Sequence, residues 1–532
     1  MSEPAVAPDP STREWRQEPG AEGEWRRLDR RTLLVTAVVM TGVVVGAGVP
    51  TTLGLAGAMP LWQALAWVLA GALLLIVCGT GGEYVRWRRT RYRIGPERAE
   101  LHTGLVLVKR RSLARERIRS VDLTAHLLLR ILGLVKVRIG TGEQSGGEST
   151  LELDPVTRAE GERLRTELLD RAPEAPGAYR EGTLAVLDPG WIRYAPVSFL
   201  TPVLGGAAAG GLVQVSEWFG AQARLFGWVA DLFRDTSVLW AVLILLGGTG
   251  LAGVVGALGL WIEMWWNYRL EREPGGTLRV RRGLFTSRSV SVEERRLRGV
   301  EVVEPLGVRL SGAARVDAIA TGIAHDDEER TENKTLLPVA PRAVADEVAA
   351  QVLRESVSPT NAVTLTPHPR AARGRRLRWS VACALSPVLV LTVLGLLLPD
   401  SARTVLLWCA AVCALVLLPV AVLLALDAYR NLGHGLSGAY LVTRSGSVGR
   451  TTAALQRDGV IGWTVKQSVF QRRAGLLTLT ATTAAGSGAY HVRDAAQGEG
   501  LAFAAQAVPG LLEPFLTNEE EPPGRGPGTG RV

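Results

Sequence analysis

Residues 32–82 read TLLVTAVVMTGVVVGAGVPTTLGLAGAMPLWQALAWVLAGALLLIVCGTGG and contain no Asp, Glu, Lys or Arg. A membrane helix needs about 20 apolar residues to cross a hydrocarbon core roughly 30 Å thick. A run of 51 uncharged residues exceeds one span and suits two, with Met59-Pro60 as the turn between them. The stretch therefore predicts a transmembrane hairpin with helices near residues 33–57 and 61–80.

Two further regions, residues 192–263 and 377–427, also have the length and apolarity of a membrane hairpin. Residues 194–216 are uncharged but rich in Pro and Gly, which makes this the least regular span. The connector 217–235 has apolar residues at helical spacing, which predicts a helix that lies in the interface on the outer side of the membrane. A plain loop is the alternative. The sequence therefore predicts six transmembrane helices in three hairpins.

The spans contain two patterns that let helices approach closely, Gly42-x-x-x-Gly46 and Gly206-x-x-x-Gly210. We expect these glycines to pack helices within one chain. Glu217 and Glu263 border spans beside Trp residues, so we expect both to lie at the interface. Since no span carries a charge near its centre, the sequence offers little polar route for transport.

Arginine clusters flank the spans and predict their orientation, because cytoplasmic flanks collect Arg and Lys. The clusters are Arg26, Arg27, Arg30 and Arg31; Arg86, Arg88, Arg89, Arg91 and Arg93; Arg373, Arg375, Arg376 and Arg378; and Arg430. Both termini and all soluble modules are therefore predicted to be cytoplasmic. The polar residues 1–31 are predicted to form a disordered arm, and residues 514–532 a disordered tail.

A soluble module follows each hairpin, at residues 83–180, 264–357 and 434–513. Period-2 alternation, as in Val135–Ile139 and Leu278–Arg281, predicts antiparallel strands with one buried face. Each module is predicted to end in an amphipathic helix. The three helix predictions begin at Asp154-Pro155, at Pro338 and at Arg493.

An Arg-x-x-Gly motif recurs at fixed register in the three modules, at offsets of 179 and 342 residues from the first copy. Its copies are Arg130 and Gly133, Arg309 and Gly312, and Arg472 and Gly475. Self-similarity at a fixed register indicates repeated structural units. We therefore interpret the motif as a structural feature of three related modules, of which the third is the most divergent.

Five segments of the first module carry a family resemblance. They are Tyr92-Arg93-Ile94, His102-Thr103-Gly104-Leu105, Arg117-Ile118-Arg119-Ser120-Val121, Arg130-Ile131-Leu132-Gly133-Leu134 and Thr141-Gly142. The chain resembles the bacterial pleckstrin-homology-like (PH-like) membrane protein family in its long, YdbT-like form with three repeats. The resemblance covers nearly the whole chain except the termini. It implies a mixed α + β membrane protein with six transmembrane helices in three hairpins, each followed by a PH-like small β barrel or sandwich with a C-terminal helix.

The resemblance also implies a setting in the plasma membrane, with roles in envelope stress and in resistance to membrane-active antimicrobials. Two sets of basic residues are candidate ligands for lipid headgroups, since each basic side chain near an anionic surface contributes about 1 kcal/mol. The juxtamembrane set is Arg86, Arg88, Arg89, Arg91 and Arg93, and the turn set is Lys109, Arg110, Arg111, Arg281 and Arg282. The alternatives are that the first set only holds topology and that the second is only solvated.

Catalytic and metal-binding motifs are absent from the sequence, and the six histidines are scattered without metal spacing. The net charge of +9 is spread along membrane flanks without a nucleic-acid reader motif. We therefore expect a non-enzymatic integral membrane protein, without a cofactor, whose modules bind membrane lipids or a partner. The expected protein partners are a shorter PH-like membrane protein or a second copy. The alternative function is a transporter or lipid-handling protein that uses the six-helix bundle.

Overall fold

The computed structural model describes residues 24–104, 108–118, 120–140, 150–169, 182–321 and 334–512. The chain divides into two compact units, Met1–Arg171 and Ala172–Val532. Long apolar helices alternate with antiparallel sheets in both units, which is the mixed α + β class that the sequence predicts.

The first unit contains one helical hairpin and one module. The hairpin consists of α1 (Thr32–Ala56) and α2 (Leu61–Arg89). The first sheet has the order β1 (Arg26–Arg27), β2 (Arg91–Ile94), β3 (Arg98–Thr103) and β4 (Lys109–Ala114). The rest of the module is β5 (Ser120–Ala125), α3 (Leu127–Ile131), β6 (Leu134–Gly140), β7 (Thr150–Thr157) and α4 (Arg158–Leu169). Its core includes Tyr92, Leu101, Val121, Val137 and Leu164, all buried.

The interpretation of residues 1–31 as one disordered arm is wrong for residues 24–31. Arg26 and Arg27 form β1 and pair with Tyr92 and Arg91 of β2. Leu28 is buried, and its carbonyl accepts a hydrogen bond of 2.8 Å from the indole of Trp87. Polar composition alone suggested disorder, but pairing with β2 satisfies the backbone of this segment.

The second unit contains two hairpins and two modules. Its first half is β8 (Gly182–Val186), the 3₁₀ segment Pro189–Val197, α5 (Leu200–Trp218), α6 (Gln222–Asp235), α7 (Val238–Trp265), β9 (Arg269–Glu273), β10 (Thr277–Arg282), β11 (Ser287–Glu293), β12 (Leu297–Pro305), α8 (Leu306–Leu310), β13 (Ala313–Ala320), β14 (Thr335–Pro341) and α9 (Arg342–Leu353). Its second half is α10 (Pro359–Ala362), β15 (Thr366–Pro367), α11 (Arg370–Leu397), α12 (Asp400–Arg430), β16 (Gly433–Ser437), β17 (Tyr440–Ser445), β18 (Gly449–Gln456), β19 (Gly462–Lys466), α13 (Val469–Arg473), β20 (Leu476–Thr482), β21 (Ala489–Ala496) and α14 (Gln497–Ala507).

The second and third modules share one sheet. Its order is β14-β13-β12-β18-β17-β16-β15, so strands of the second module join strands of the third through the antiparallel pair β12–β18. The register of this pair runs from Gly299 opposite Leu455 to Pro305 opposite Gly449. Tyr440, Val442 and Ala454 of the third module lie in the same core cluster as Val300 and Val302 of the second. The two repeats therefore do not form self-contained barrels.

The Arg-x-x-Gly motif ends a short helix in each module. Gly133, Gly312 and Gly475 follow α3, α8 and α13 with φ of 70°, 71° and 62°. Glycine adopts this left-handed backbone without the steric cost that a Cβ imposes. Each of these glycine carbonyls also accepts a hydrogen bond of 3.0 Å from the first residue of the module's last helix. The motif thus fixes the same two chain reversals in all three modules.

The final helices begin later than the sequence predicts. Asp154-Pro155 and Pro338 lie within β7 and β14, and the helices α4, α9 and α14 start at Arg158, Arg342 and Gln497. β14 and β7 are outermost in the strand order of their sheets. Because an outer strand tolerates a residue that lacks an N–H group, proline here is compatible with a strand as well as with a helix start.

Five helices of the described residues are long and apolar enough to cross a membrane, namely α1, α2, α7, α11 and α12. The segment Pro189–Val197 and α5 pass that test only as a pair, which is bent by 70°. Pro196 lies just before the bend and lacks the N–H that a continuous helix requires. The third predicted span is therefore broken, and its connector to α7 contains the helix α6, none of whose residues is buried.

Glycine packs α5 against α7, but on a different face from the predicted one. A Cβ on Gly205 would lie 2.3 Å from the carbonyl oxygen of Thr249, and Gly253 is equally close to a carbonyl of α5. Added Cβ atoms on the predicted residues, Gly42, Gly46, Gly206 and Gly210, would meet nothing within 4 Å. Neighbouring helix positions point about 100° apart, so a pattern shifted by one residue faces elsewhere.

Candidate anionic-lipid site

Two of the predicted lipid ligands lie in a row across the first sheet. Arg27 pairs with Arg91, Arg91 with His102, and His102 with Arg110, so the four side chains share one face. The three arginines are exposed. Burial and the nearby Arg110 lower the pKa of His102, which is therefore neutral at pH 7. Like charges on adjacent strands are unfavourable, so an anionic surface would stabilise this face.

The other predicted residues of the first module have different surroundings. Arg86 forms an ion pair of 2.6 Å with Glu83, and Arg93 forms one of 2.6 Å with Glu100. Arg88, Arg89 and Lys109 are exposed, whereas Arg111 is partly buried and lies on the opposite sheet face from Arg110. The structure thus joins only Arg91 and Arg110 of this set in one cross-strand row.

Arg281 and Arg282, which the sequence places in a turn between strands, lie at the end of β10. They are neighbours on β10, and successive strand residues point to opposite faces. Arg281 is exposed, whereas Arg282 is 5% exposed and lies over the Trp265 ring at 4.5 Å. Burial lowers the pKa of Arg282 to about 10. Arg282 therefore packs against Trp265 at the end of α7, apart from the exposed Arg281.

An acidic residue near the end of a membrane helix contacts the turn that follows the first two strands of its module. Glu263 on α7 accepts hydrogen bonds from the backbone N–H groups of Phe285, at 2.8 Å, and Thr286, at 2.9 Å. Asp427 on α12 accepts a hydrogen bond of 2.7 Å from the Ser447 hydroxyl in the corresponding turn. These carboxylates attach the modules to their hairpins, a role that charge counting in the spans did not predict.

A cavity of about 710 Å³ lies where the third hairpin meets the third module. One wall consists of apolar residues of α11 and α12, among them Trp379, Cys383 and Leu424. The polar part of the lining comes from β19, β20 and β21 together with the start of α11. Its charged residues are Arg375, Arg376, Lys466, Arg493 and Asp494. Four cations against one carboxylate give the lining a formal charge of +3.

Asp494 holds the two arginines of α11 in the cavity wall. Its carboxylate, 2% exposed, forms an ion pair with Arg375 and another of 3.3 Å with Arg376. It also accepts a hydrogen bond of 2.9 Å from Gln471. One carboxylate offsets only one of the four positive charges in the lining, so the cavity favours an additional anion.

Among the described residues, the Nε atoms of both Arg375 and Arg376 are buried without a hydrogen-bond partner. His491 lines the same cavity and forms a hydrogen bond of 2.9 Å with the Thr480 hydroxyl. Burial and then the nearby Arg493 and Lys466 lower the pKa of His491, so it is neutral at pH 7. The described residues contain no group of three or more His, Cys, Asp or Glu able to hold a metal ion.

The sequence revealed only part of this cavity. The arginines before the fifth span were visible, but their pattern favoured a role in topology. Lys466 and Arg493 are isolated in sequence from that cluster and from each other. Only the return of β19 and β21 to the start of α11 brings them together, and no spacing rule predicts that return.

Comparison with known proteins assigns the class. A family model of the bacterial PH domain matches residues 38–172, 217–356 and 388–506. The chain therefore belongs to the bacterial PH domain family, with three copies of the domain. Each matched segment includes membrane-helix residues as well as the following module, which agrees with a repeat unit made of both parts.

A particular relative is similar over most of the chain. The UPF0699 transmembrane protein YdbT of Bacillus subtilis (strain 168) is 23% identical over 451 residues, which cover 81% of this chain and 85% of that protein. No solved structure matches. Together with the apolar helices, this similarity identifies a membrane protein with repeated bacterial PH domains.

Proposed function

We propose that the protein binds anionic phospholipids from the cytoplasmic leaflet, with the headgroup in the cavity between the third hairpin and the third module. The observation that carries the proposal is the pairing of a wall of formal charge +3 with an apolar wall of membrane-helix residues. A phospholipid has the same division, with a charged headgroup joined to apolar chains. The proposed activity is recognition of lipid without chemical change.

The expected selectivity follows from the charges. Each basic side chain near an anionic lipid contributes about 1 kcal/mol, so three net charges give roughly a hundredfold preference over a zwitterionic lipid. The cavity is large enough for one headgroup, since ligand pockets of about 300–1,000 Å³ are usual. The apolar wall explains why the ligand is a lipid, whereas a free phosphate would leave Trp379 and Leu424 uncovered.

The test is native mass spectrometry of the full chain released from nanodiscs that contain equal amounts of phosphatidylglycerol and phosphatidylcholine. The unchanged protein should retain phosphatidylglycerol. Lys466→Gln with Arg493→Gln should lower that retention by roughly ten- to thirtyfold, because two of the four cations are lost. These two residues are chosen because neither is paired with Asp494, so the cavity wall stays in place.

The matched control is Arg373→Gln with Arg473→Gln, which changes the net charge equally at exposed residues outside the cavity lining. It should leave the retention of phosphatidylglycerol unchanged. Equal losses in both double variants would show that only the overall charge matters, and would refute a built site. Equal retention of the two lipids by the unchanged protein would refute the proposal as a whole.

The topology is part of the proposal. A multi-pass protein of the plasma membrane with both termini in the cytoplasm would place this cavity at the inner leaflet. Support comes from the arginines at the module-facing helix ends, including Arg88, Arg89 and Arg378. Single cysteines at residues 217–235, introduced after removal of the four native cysteines, should react with an impermeant thiol reagent outside intact cells. Reaction only after lysis would contradict this orientation.

The cellular role proposed with it is defence of the envelope against membrane-active antimicrobials. If lipid binding is the basis of that role, cells with the Lys466→Gln and Arg493→Gln protein should be as sensitive as cells without the protein. Cells with the Arg373→Gln and Arg473→Gln control should keep their resistance. Full resistance in the cavity variant would separate the cellular role from lipid binding.

A further inference from the structure

In the second module, the strand β12 pairs with a strand of the next module. That partner is β18, the last of the strands β15, β16, β17 and β18, which we call the four-stranded half-sheet of the third module. In the third module β19 occupies the corresponding place, as its register against β20 shows. Gly299 faces Ile319 across β12–β13, and Gly462, 163 residues later, faces Thr482 across β19–β20 at the same offset.

The outer edge of β19 has no neighbouring strand among the described residues, where the sheet order is β19-β20-β21. Val302 on β12 is fully buried, whereas its counterpart Val465 on β19 is 44% exposed. Ile461, just before β19, is 64% exposed. A free strand edge offers unpaired backbone groups to another chain. The edge of β19 is therefore an incomplete copy of the β12–β18 pair.

Gly462 keeps the space that such a pair requires. A Cβ on Gly299 would lie 1.9 Å from the carbonyl oxygen of Ala454, so only glycine allows β18 to approach there. A Cβ on Gly462 would meet nothing within 4 Å. The third module therefore has glycine at the position of closest approach, although no strand in the described part of the chain pairs there.

The electrostatic part of the pair is also present without its partner. Arg309 on α8 forms an ion pair of 2.8 Å with Asp427, which stands at the end of the membrane hairpin that precedes β18. Arg472 on α13 is the counterpart of Arg309 and is exposed. Lys466 at the end of β19 and Arg473 next to Arg472 are exposed as well. An occupant of this edge should therefore bring carboxylates.

We propose that the free edge of β19, with Arg472 beside it, docks the four-stranded half-sheet of a PH-like module in a different membrane protein. The partner would present a carboxylate on its last strand toward Lys466, and another at the end of its membrane hairpin toward Arg472. The mode of recognition is addition of a strand to a sheet edge, in which main-chain hydrogen bonds give affinity and side chains give specificity.

A second copy of this chain fits the edge less well. Its corresponding strand is β4, the outermost strand of the first sheet. The register of β12–β18 would place Lys109 opposite Lys466, and Arg110 and Arg111 beside it. Like charges directly across a strand pair are destabilising. The basic edge therefore favours an acidic partner strand over self-association.

The test uses the full chain in vesicles of phosphatidylethanolamine and phosphatidylglycerol, with a photo-crosslinking p-benzoylphenylalanine in place of Thr464. Thr464 is exposed at the middle of β19. The probes are two synthetic peptides of residues 446–456, one native and one with Thr451→Glu, since the register of β12–β18 places residue 451 opposite Lys466. Saturable crosslinking should occur with both, and the Thr451→Glu peptide should half-saturate at a concentration about fivefold lower. Absence of saturable crosslinking, or equal half-saturation, would overturn the proposal.

Gly462→Val separates docking from folding. The added side chain meets open space in the free protein, so thermal unfolding should not change, but it should abolish crosslinking of both peptides. Gly498→Ala is the control, because a Cβ on Gly498 also meets nothing within 4 Å but lies away from β19. Crosslinking that survives Gly462→Val would overturn the proposed geometry. An adduct of twice the chain mass without peptide, lost in Gly462→Val, would assign the edge to a second copy and overturn the heterologous partner.

Discussion

The strands β12 and β19 of the second and third modules have the same register against β13 and β20 but different surroundings. On β12, Glu304 is 3% exposed and accepts hydrogen bonds of 2.8 and 2.7 Å from Arg450 of β18. Arg342 adds an ion pair of 3.0 Å. In the third module the residue in this position is Gln467, which directly follows β19 and is exposed. The comparison shows that the repeat specifies the strand, whereas the neighbour decides whether the strand is core or surface.

The largest expected effect comes from making the same substitution, glycine to valine, at Gly299 on β12 and at Gly462 on β19. Gly299→Val should destabilise the β12–β18 pair by about 3 kcal/mol or more, because the side chain would collide with the backbone of Ala454. Gly462→Val should leave stability unchanged. Hydrogen exchange of the β12 and β18 amides, followed by mass spectrometry, measures the opening free energy. Similar protection in both variants would mean that β12 and β18 are not paired as described.

Removal of the buried carboxylate should have the next largest effect. Glu304→Gln leaves Arg450 and Arg342 without their shared anion and should cost about 2 kcal/mol, a value reduced because both arginines are partly exposed. Gln467→Glu is the reciprocal change on the open edge and should be nearly neutral. The apparent melting temperature of the full chain in detergent is the readout. A loss of similar size in both variants would remove the distinction between the edges.

Acid should selectively weaken the pairing of β12 with β18. Although burial opposes it, hydrogen bonding to Arg450 and the charge of Arg342 lower the pKa of Glu304 below its usual range. A lowered folded-state pKa gives stability that is complete above the unfolded value of about 4.3 and is lost as pH falls through the folded value. Protection of the β12 amides should therefore fall below about pH 4. The Glu304→Gln protein should lack this step, and a step that persists there would have another source.

The smallest expected effect is one that the two modules share. Gly312→Ala and Gly475→Ala each place a side chain on left-handed backbone, at φ of 71° and 62°, and should cost about 1 kcal/mol each. The two costs should agree because neither glycine has a neighbour within 4 Å of an added Cβ. Chemical denaturation of the two variants gives the comparison. Unequal costs would show that these turns depend on the neighbouring module.

Local patterns determined much of the fold. The uncharged run 32–82 specified a helical hairpin, because hydrocarbon accepts only long apolar helices with satisfied backbone groups. The Arg-x-x-Gly register marked the three modules, since only glycine adopts the left-handed turn cheaply. Sequence could not place the start of α4, because Pro155 fits both a helix start and an outer strand. Nor could it place the bend after Pro196, because proline also lies inside a continuous membrane helix, as Pro419 does in α12.

The sequence by itself determined the class of protein, the number of repeats and the basic flanks of the membrane helices. These follow from properties of single segments: hydropathy, periodicity and backbone freedom. Tertiary structure alone decided that β12 and β18 share a sheet while β19 lies at the edge of its sheet in the described part of the chain. It also decided that Arg375, Lys466 and Arg493 line one cavity while Arg282 is buried. Such outcomes depend on contacts between segments distant in sequence, and no local pattern specifies which distant segment makes the contact.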